Sequence, residues 1–452
     1  MNPLAELARK LFFSRLAVFF VAFSLSFAAL LLTHSYIIGP VENHFNFGWE
    51  TGRVAAHLAA GEGYVSPLPA PTGPTALVPP VYPLLMVAVF KLFGIYSAPS
   101  ALVLLTLNCV FSGLTAVLLC ELGGLVVNSV VGALAGWAWA FYPYAEQVNT
   151  RDIWETSLTT CLIVLLVLLA FRIGPKTSLL GWLGYGALCG FTTLSNTSGS
   201  IVSLILWAWL FWRLLRAKAE WFRPLALTAV GFILLLTPWW IRNYAAFGKF
   251  VPLRTNFWME VWTGNCFNGV IPGHGQPSDY FDNFEYHSPV FWANDRIYPN
   301  SESPSAQRKQ AADFARLGEI QYMALKRRET LACMASDPAE FAQLSARRVL
   351  FTWTSAFYLV PDIAAHYPLF MPVWIAGYTS LSLLAFFGLY LLFRRDPAAA
   401  MPFALLLLLF PGVYYLSHQT LRYRYPIDPE IILLAAITAY FALQKFRPAQ
   451  PQ

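Results

Sequence analysis

Long apolar runs alternate with short polar breaks along almost the whole chain. Runs with charge-free cores lie at residues 16–38, 99–121, 125–143, 157–173, 179–196, 200–214, 225–243, 367–393, 398–416 and 428–443. An apolar helix of about 20 residues is long enough to cross the hydrocarbon core of a bilayer. The pattern therefore predicts an all-α polytopic membrane protein of about ten transmembrane helices.

The polar and aromatic segments between these runs predict additional helices beside the membrane. Trp49 to Ala60 has the pattern of a short helix closed by Gly61, and residues 81–93 are too short to span and predict an interfacial helix. Two more helices are predicted at residues 305–336 and 338–358. The predicted fold thus combines about ten transmembrane helices with juxtamembrane helices on one face.

The same breaks divide the chain into three predicted parts. Residues 1–243 form an N-terminal transmembrane module with a catalytic outer loop at residues 39–98. Residues 244–366 form a large extracytoplasmic loop region with interfacial helices, and residues 367–452 form the C-terminal transmembrane helices. Cys266 and Cys333 both fall in the large loop, where a disulfide and two separate thiols stay open as alternatives.

Composition agrees with a membrane protein and excludes one class of partner. The 452 residues are 57% hydrophobic and 12% charged, whereas about a quarter of residues are charged in soluble domains. The net charge is +6, but no basic run or nucleic-acid-binding motif accompanies it. We therefore expect membrane lipids as partners and no nucleic acid.

Positive residues are concentrated on one side of the predicted bundle. The short loops on that side carry Lys10, Arg15, Arg172, Lys176, Arg213, Arg216, Lys218, Arg223, Arg394, Arg395, Lys445 and Arg447. Because cytoplasmic loops are enriched in lysine and arginine, we expect this side and both termini to be cytoplasmic. The first apolar run has no small-residue cleavage site and is predicted to be a retained signal anchor.

Candidate chemistry on the other side begins at the short helix after the first run. Glu50 lies in its first turn, and Arg53 and His57 follow at helical spacing, so the three side chains share a face. The helix dipole favours an ionised carboxylate there, which suits a general base. A carboxylate that only stabilises the helix dipole is the simpler alternative.

A second charged group interrupts the chain between two apolar runs. It contains Arg151, Asp152 and Glu155, and Glu155 lies at the mouth of the following run. Charges so close to hydrocarbon are costly and are often functional. A local salt bridge from Arg151 to Asp152 or Glu155 is the alternative.

Arginines on the same outer side run against the usual charge bias. Arg242 and Arg254 flank the point where an apolar run gives way to the large loop, and Arg422, Tyr423 and Arg424 lie on a short loop near the C-terminus. Arginine forks bind phosphate oxygens, and the neighbouring aromatic rings suit a headgroup or a sugar ring. Interfacial anchoring alone would explain the tryptophans near Arg242 and Arg254, but it explains these two arginines less well. For Arg422 and Arg424, pairing with Asp428 or Glu430 is the alternative.

No phosphate-binding glycine loop, HExxH zinc pattern, paired CxxC motif or dinucleotide fingerprint occurs in the sequence. These absences weigh against ATP-driven transport, metalloproteolysis and nucleotide-cofactor chemistry. A membrane enzyme without a nucleotide site needs a substrate that arrives already activated. A sugar carried on a polyprenyl phosphate meets that need.

The arrangement resembles the GT-C superfamily of membrane glycosyltransferases, which includes protein O-mannosyltransferases and bacterial aminoarabinose transferases. The resemblance rests on the acidic residue at the head of the first outer helix, on AAHLAAGEGY and PPVYPLL after it, on the acidic break at Asp152 and Glu155, and on RYRYPIDP. It implies Glu50 as the base, Asp152 or Glu155 as the second acidic position, and Arg422 or Arg424 near the lipid phosphate. Family members commonly carry an Asp where Trp49 and Glu50 stand here.

The resemblance implies inverting transfer of a sugar from a polyprenyl-phosphate donor to an acceptor at the extracytoplasmic face of a bacterial inner membrane. The acceptor, which could be a protein, a lipid or a glycan, stays open. No cofactor is required by a motif, and a divalent metal is left open. The alternative functions are a secondary transporter and a polymerase or ligase of lipid-linked polysaccharide.

Overall fold

Helices follow one another along the chain, as the apolar runs predict. The computed structural model describes residues 3–38, 47–68, 71–266, 304–355, 370–417 and 419–445. The helices in this part of the chain are α1 (Pro3–Phe13), α2 (Arg15–Leu32), α3 (Glu50–Ala59), α4 (Val81–Phe93), α5 (Ala98–Val126), α6 (Ser129–Ala140), α7 (Pro143–Arg151), α8 (Thr156–Arg172), α9 (Leu179–Ser195), α10 (Ser198–Arg216), α11 (Phe222–Phe247), α12 (Phe257–Cys266), α13 (Pro304–Ser336), α14 (Pro338–Thr354), α15 (Phe370–Arg395), α16 (Pro397–Leu409), α17 (Gly412–Leu416), α18 (Leu421–Arg424) and α19 (Asp428–Lys445).

Seven stretches of the described chain are long and apolar enough to cross a membrane. They are Arg15–Leu32, Ala98–Val126, Ser198–Arg216, Phe222–Phe247, Pro372–Arg395, Pro397–Leu416 and Leu421–Gln444. The apolar runs at residues 125–143, 157–173 and 179–196 fold into the shorter helices α6, α8 and α9. At about 1.5 Å per residue α6 is only about 18 Å long, less than the ~30 Å of a bilayer core. The all-α membrane fold is confirmed, but the count of ten spans is not.

The helices predicted beside the membrane are present. Helix α3 closes before Gly61, whose φ is 85°, and α4 occupies the short apolar stretch after it. Helix α13 contains a kink at Gly318, where φ is 72°. Helix α14 ends at Thr354, and the predicted extension to residue 358 lies outside the described residues. We call the end of the bundle that carries α3, α12, α13 and α14 the loop end, and the other the opposite end.

Small residues let neighbouring helices in the bundle approach closely. A Cβ atom added to Gly186 of α9 would collide with the backbone oxygen of Thr228 in α11. In the same way, a Cβ on Gly231 of α11 would collide with the backbone oxygen of Leu183 in α9. Close approach through small residues is typical of helix pairs in membranes, because lipid provides little hydrophobic drive for association.

Two charged side chains, the half-buried Arg242 and the buried Glu319, fix the loop that follows α3. Arg242 of α11 donates to the backbone oxygens of Thr75 and Tyr64, at 2.5 and 2.6 Å. Glu319 of α13 accepts from the hydroxyl groups of Thr75 and Thr255 and from the backbone N–H of Ala76, at 2.5, 2.6 and 2.8 Å. Burial raises the pKa of Glu319, while these hydrogen bonds act in the opposite direction. The loop is therefore held between α11 and α13.

The two cysteines of the large loop form a disulfide. Cys266 ends α12 and Cys333 lies near the end of α13, and their Cα atoms are 6.1 Å apart. Of the two alternatives that the sequence leaves open, the structure selects the bond. The disulfide joins the two helices that cover the loop end.

Arg424 and Asp428 form a fully buried ion pair at the start of α19. The Arg424 Nε donates to Asp428 Oδ1 at 2.8 Å, and its Nη1 donates to the backbone oxygen of Thr352 in α14 and to the hydroxyl of Ser382 in α15. The Tyr142 hydroxyl donates to the other Asp428 oxygen at 2.8 Å. Of the pairings weighed from the sequence, the structure forms the one between Arg424 and Asp428, and through it α14, α15 and α19 meet.

Replacing Arg424 with methionine should destabilise the protein, because it leaves the Asp428 carboxylate buried without its cation. Removing one partner of a buried ion pair costs about 3–5 kcal/mol, which thermal unfolding in detergent would detect. Arg394→Met removes an exposed arginine from α15 and should leave the unfolding temperature unchanged. The double variant Arg424→Met/Asp428→Leu should lose less than the sum of the two single variants; equal unfolding temperatures for Arg424→Met and the parent would contradict the assignment.

Candidate active site

A cavity of about 450 Å³ opens at the loop end of the bundle. Its lining residues are Trp49, Glu50, Thr51, Val78, Pro79, Trp154, Glu155, Thr156, Asn196, Thr197, Ser198, Ser200, Ile201, Pro252, Leu253, Arg254, Asn256, Phe257, Glu260, Val413, Tyr414, Ser417, Arg422, Tyr423 and Pro426. A cavity of this volume is in the range of small-molecule sites, about 300–1,000 Å³. We call it the loop-end cavity.

Several helices begin at this cavity. The first residues of α3, α8, α10 and α12, which are Glu50, Thr156, Ser198 and Phe257, all lie in its lining. A helix N-terminus carries partial positive charge and unpaired backbone N–H groups, so it favours an anion. The backbone therefore adds to the positive potential that arginine side chains create here.

A tight turn places Glu50 against the second acidic segment. Gly48 has a φ of 76° and Trp49 a φ of 49°, so both residues are in the left-handed region before α3 begins. A Cβ on Gly48 would collide with the backbone oxygen of Ile153 and would lie 2.8 Å from Trp154 Cδ1. Only glycine allows so close an approach, and it brings the head of α3 onto the segment that precedes α8.

Polar contacts from other helices hold that second segment in place. Asn108 of α5 donates to the backbone oxygen of Asp152 at 2.8 Å, and Asn196, after α9, donates to Glu155 Oε1 at 2.9 Å. Glu155 lines the cavity, whereas Asp152 lies just outside the lining. Burial raises the pKa of Asp152 to about 6, and the nearby Arg422 and Arg151 guanidinium groups act in the opposite direction.

Arg422 enters the cavity from the turn before α19. Its guanidinium carbon lies 3.5 Å from the centre of the Trp154 ring, which is a close cation–π contact. Beside it, the rings of Tyr414 and Tyr423 stack with centres 4.5 Å apart and planes 9° from parallel. The aromatic rings cover the arginine from the sides and form an apolar wall of the cavity.

Arg254 and Glu260 form the wall on the side of α12. Arg254 Nε donates to the backbone oxygen of Leu77 at 2.6 Å, and Asn256 donates to Glu260 Oε1 at 2.5 Å. Burial raises the pKa of Glu260 to about 7; Arg254 lowers it and Glu50 raises it further. Glu260 was not singled out from the sequence, although it is an isolated acidic residue between aromatic ones in FWMEVW.

The structure brings five of the predicted site residues into this cavity and leaves the others outside its lining. Those inside are Glu50, Glu155, Arg254, Arg422 and Tyr423. Outside the lining, with Asp152, are Arg53, His57, Arg151, Arg242 and Arg424.

The predicted residues outside the cavity have other surroundings. Arg53 is buried, donates to the backbone oxygen of Pro67 at 3.3 Å and lies over the Trp49 ring. His57 pairs with Glu62 at 2.5 Å, and Arg151 is exposed at the end of α7. Arg242 and Arg424 hold the loop after α3 and the start of α19, as described above, so their contacts are structural.

In the described part of the chain, the three glutamates of the cavity are not grouped as metal ligands. Among the residues that the structure describes, no group of three or more His, Cys, Asp or Glu side chains is placed to hold a metal ion. Glu50, Glu155 and Glu260 line one cavity, but Asn196 and Asn256 donate to the latter two.

Comparison with known proteins gives matches in structure alone. No protein-family model matches the sequence, and no curated protein matches it. The oligosaccharyltransferase of Archaeoglobus fulgidus, in a complex with Zn and sulfate, aligns at a TM-score of 0.53 and 14% identity over 95% of this chain and 49% of that one. AglB of the same organism, with an inhibitory peptide and a dolichol-phosphate, aligns at 0.50 and 14% over 97% and 52%.

ArnT from Cupriavidus metallidurans, bound to undecaprenyl phosphate, aligns over 95% of this chain and 81% of its own. The identity is 14% and the TM-score is 0.39. The chain spans about half the length of the archaeal oligosaccharyltransferases, 49% and 52%. The chain therefore shares its membrane-protein fold with the archaeal oligosaccharyltransferase.

Proposed function

We propose that this protein transfers a sugar from a polyprenyl-phosphate-linked donor to an acceptor hydroxyl or amine, with inversion at the anomeric carbon. One observation carries the proposal: the Glu50 carboxylate, the Arg254 and Arg422 guanidinium groups and the starts of four helices face a single cavity. A carboxylate suits proton removal, and cations with helix starts suit a phosphate leaving group. The archaeal protein of similar fold was solved with a dolichol-phosphate, a lipid phosphate of the same chemical class.

The reaction is a single in-line displacement. Glu50 takes the proton from the acceptor, and the acceptor atom forms a bond to the anomeric carbon as the bond from that carbon to the phosphate oxygen breaks. The electron pair of the broken bond leaves with the phosphate, where negative charge develops. Arg422 and Arg254 stabilise that charge, and they act most strongly where the cavity excludes water.

Arg422 is the better placed of the two arginines for a fixed phosphate contact. The Trp154 ring lies against its guanidinium group, with the guanidinium carbon 3.5 Å from the ring centre, and this contact restrains the side chain. A guanidinium held in one orientation loses less conformational entropy when it forms a bidentate pair. The stacked Tyr414 and Tyr423 rings offer an apolar surface for the sugar or the first part of the lipid chain.

Glu155 and Glu260 complete the polar lining. Glu155 accepts a hydrogen bond from Asn196 and Glu260 accepts one from Asn256, and carboxyl groups in a cavity lining suit the hydroxyl groups of a sugar or an acceptor. Asp152 supports this arrangement from behind Arg422, whose charge acts on it. We assign the proton transfer to Glu50 alone because it lies at the first position of α3.

We further propose that the loop end faces an extracytoplasmic compartment and that both termini are cytoplasmic. The disulfide between Cys266 and Cys333 supports this orientation, because disulfides persist in oxidising compartments. The cluster of arginines and lysines in the loops of the opposite end supports it independently. A bacterial inner membrane suits both observations.

Glu50→Gln should abolish transfer, because the amide is nearly isosteric but cannot take a proton. General-base catalysis contributes about 10²–10⁴-fold, so the rate with a labelled polyprenyl-phosphate sugar should fall by that factor while the protein stays folded in detergent. Glu62→Gln makes the same chemical change at an exposed position and serves as the control. Retention of full activity by Glu50→Gln would exclude Glu50 as the base.

Arg422→Gln should weaken donor binding, because the phosphate loses a charge-assisted hydrogen bond of about 1.5–3 kcal/mol. We expect the dissociation constant of the donor lipid to rise about 10- to 100-fold, as measured by titration of the purified protein. Arg151→Gln removes an exposed arginine close by and should bind as the parent does. If both variants bind equally well, Arg422 does not contact the phosphate.

Donor affinity should fall as pH rises through about 7, because Glu260 is neutral below its raised pKa of about 7 and adds a negative charge to the cavity above it. The effect should reach up to about tenfold, the equivalent of one pKa unit of coupling. Glu260→Gln should bind the donor with little pH dependence between pH values near 6 and 8. Burial also raises the pKa of Asp152, to about 6, so Asp152→Asn is the comparison variant. If the pH dependence of donor affinity disappears only in Asp152→Asn, the titrating group is Asp152 and not Glu260.

A further inference from the structure

A second cavity, of about 340 Å³, lies at the opposite end of the bundle. It is enclosed by the loop between α8 and α9, the last turns of α10 and the start of α16. Helices α8 and α10 begin at the loop-end cavity and end at this one. At about 1.5 Å per residue the two cavities are therefore about 25 Å apart. We call this one the opposite-end cavity.

Arg213 is held in the wall of this cavity by two kinds of contact. Its Nη1 donates to the backbone oxygen of Ala170 at 2.9 Å, in the last turn of α8. Its guanidinium carbon lies 4.6 Å from the centre of the Trp209 ring, and Trp209 Nε1 in turn donates to the backbone oxygen of Ala398 at 2.8 Å. The half-buried guanidinium therefore has a fixed position between three helices.

Arg216 lies on the same face of α10, three residues further on. Residues three apart on a helix are neighbours, so the two guanidinium groups face the same space. Arg216 stacks over the Trp212 ring at 4.9 Å and is otherwise exposed. The cavity lining thus presents one fixed and one adjustable arginine beside Trp182 and Trp212.

The charges around the cavity leave it positive. Lys176 follows the lining residue Pro175, and Lys218 follows Ala217. Asp396 is the carboxylate whose charge acts on Arg213, but its Oδ1 accepts the backbone N–H groups of Ala398 and Ala399 at the start of α16. The Asp396 carboxylate therefore caps α16, and the charges of Arg213 and Arg216 together exceed its single negative charge.

Large exposed apolar side chains lie within three residues of lining residues along the chain, and we call them the apolar border of the cavity. Leu179 and Leu180, at the start of α9, are 54% and 76% exposed, and Leu215, at the end of α10, is 47% exposed. In a protein that spans a membrane, such side chains contact lipid chains. A ligand with an anionic head and apolar chains matches both the cavity and this border.

We propose that the opposite-end cavity binds the phosphate headgroup of an anionic membrane lipid, with Arg213 and Arg216 as its phosphate ligands. Arginine pairs bind phosphate oxygens through charge-assisted hydrogen bonds, and basic pockets between transmembrane helices are recognised lipid headgroup sites. The lipid chains extend over Leu179, Leu180 and Leu215. This site is separate from the transfer reaction and does not depend on the proposed function.

The test measures lipid binding to the full-length protein in detergent, by native mass spectrometry or by titration. The probes are short-chain phosphatidylglycerol, short-chain phosphatidylcholine and inorganic phosphate. We expect phosphatidylglycerol to bind about tenfold more tightly than phosphatidylcholine, and excess inorganic phosphate to leave the bound lipid in place. Arg216→Gln, at an exposed position where folding is not at risk, should remove most of that tenfold preference.

Two matched variants assign the binding to this cavity. Arg394→Gln removes an exposed arginine at the same end, from the last turn of α15, and should keep the preference for phosphatidylglycerol. Arg422→Gln removes the arginine of the loop-end cavity and should also keep it. The proposal is overturned if the two lipids bind equally, if Arg216→Gln binds as the parent does, or if the preference disappears in Arg422→Gln instead. Displacement by inorganic phosphate would identify a site for free phosphate and would also overturn it.

Discussion

A buried arginine is stable only beside a group that offsets its charge, and at the start of α19 the Asp428 carboxylate offsets the charge of Arg424. Both side chains are fully buried, so an arginine without its carboxylate would cost several kcal/mol. The pair fixes the turn before α19. Successive helical residues are about 100° apart around the axis, so fixing Arg424 toward the core directs Arg422, two positions earlier, to the other side. That side is the loop-end cavity.

The opposite wall of the cavity depends on a glycine. Gly48 lies so close to the backbone of Ile153 that a side chain at this position would push the head of α3 away. The contact brings Glu50 beside Trp154, and Trp154 is the ring on which Arg422 stacks. One chain of contacts therefore links the carboxylate of α3 to the arginine before α19. A side chain at Gly48 would therefore alter the distance between Glu50 and Arg422, although Gly48 itself is not in the cavity lining.

Arginines at the loop end hold backbone oxygens of the loop after α3, and some of them also line the cavity. The sequence alone does not distinguish these two roles. Arg242 and Arg254 flank the same boundary, between an apolar run and the large loop. Arg242 lies outside the cavity lining and donates to the backbone oxygens of Tyr64 and Thr75. Arg254 lines the cavity and donates to the backbone oxygen of Leu77. Both bind backbone oxygens, because a loop so close to the membrane has carbonyl groups that need donors. Which arginine also lines the cavity depends on the path of the loop, and Glu319 of α13 holds that loop through Thr75 and Ala76.

The sequence alone determined the fold class and most of the helices. Apolar runs of helical length in a chain with few charges permit only helices that satisfy their own backbone groups in lipid. The helix at Glu50 and the helices of the large loop followed from local signals such as Gly61 and the spacing of polar residues. The sequence also predicted that Glu50, Glu155, Arg254 and Arg422 share one face, and all four line the loop-end cavity.

Only the tertiary structure decided which of these residues meet. Helix α6 (Ser129–Ala140) is shorter than the apolar run at residues 125–143, whereas α8 and α9 match their runs to within one residue. Glu260 lines the cavity, although the sequence analysis did not select it. Five residues that it did select lie outside the lining with Asp152: Arg53, His57, Arg151, Arg242 and Arg424. Contacts between residues more than a hundred positions apart, such as Thr75 with Glu319, leave no periodic signal in one sequence. Hydropathy and charge within one segment predict on which side of a membrane it lies. Which residues form a site depends instead on how segments that are distant in the sequence pack together.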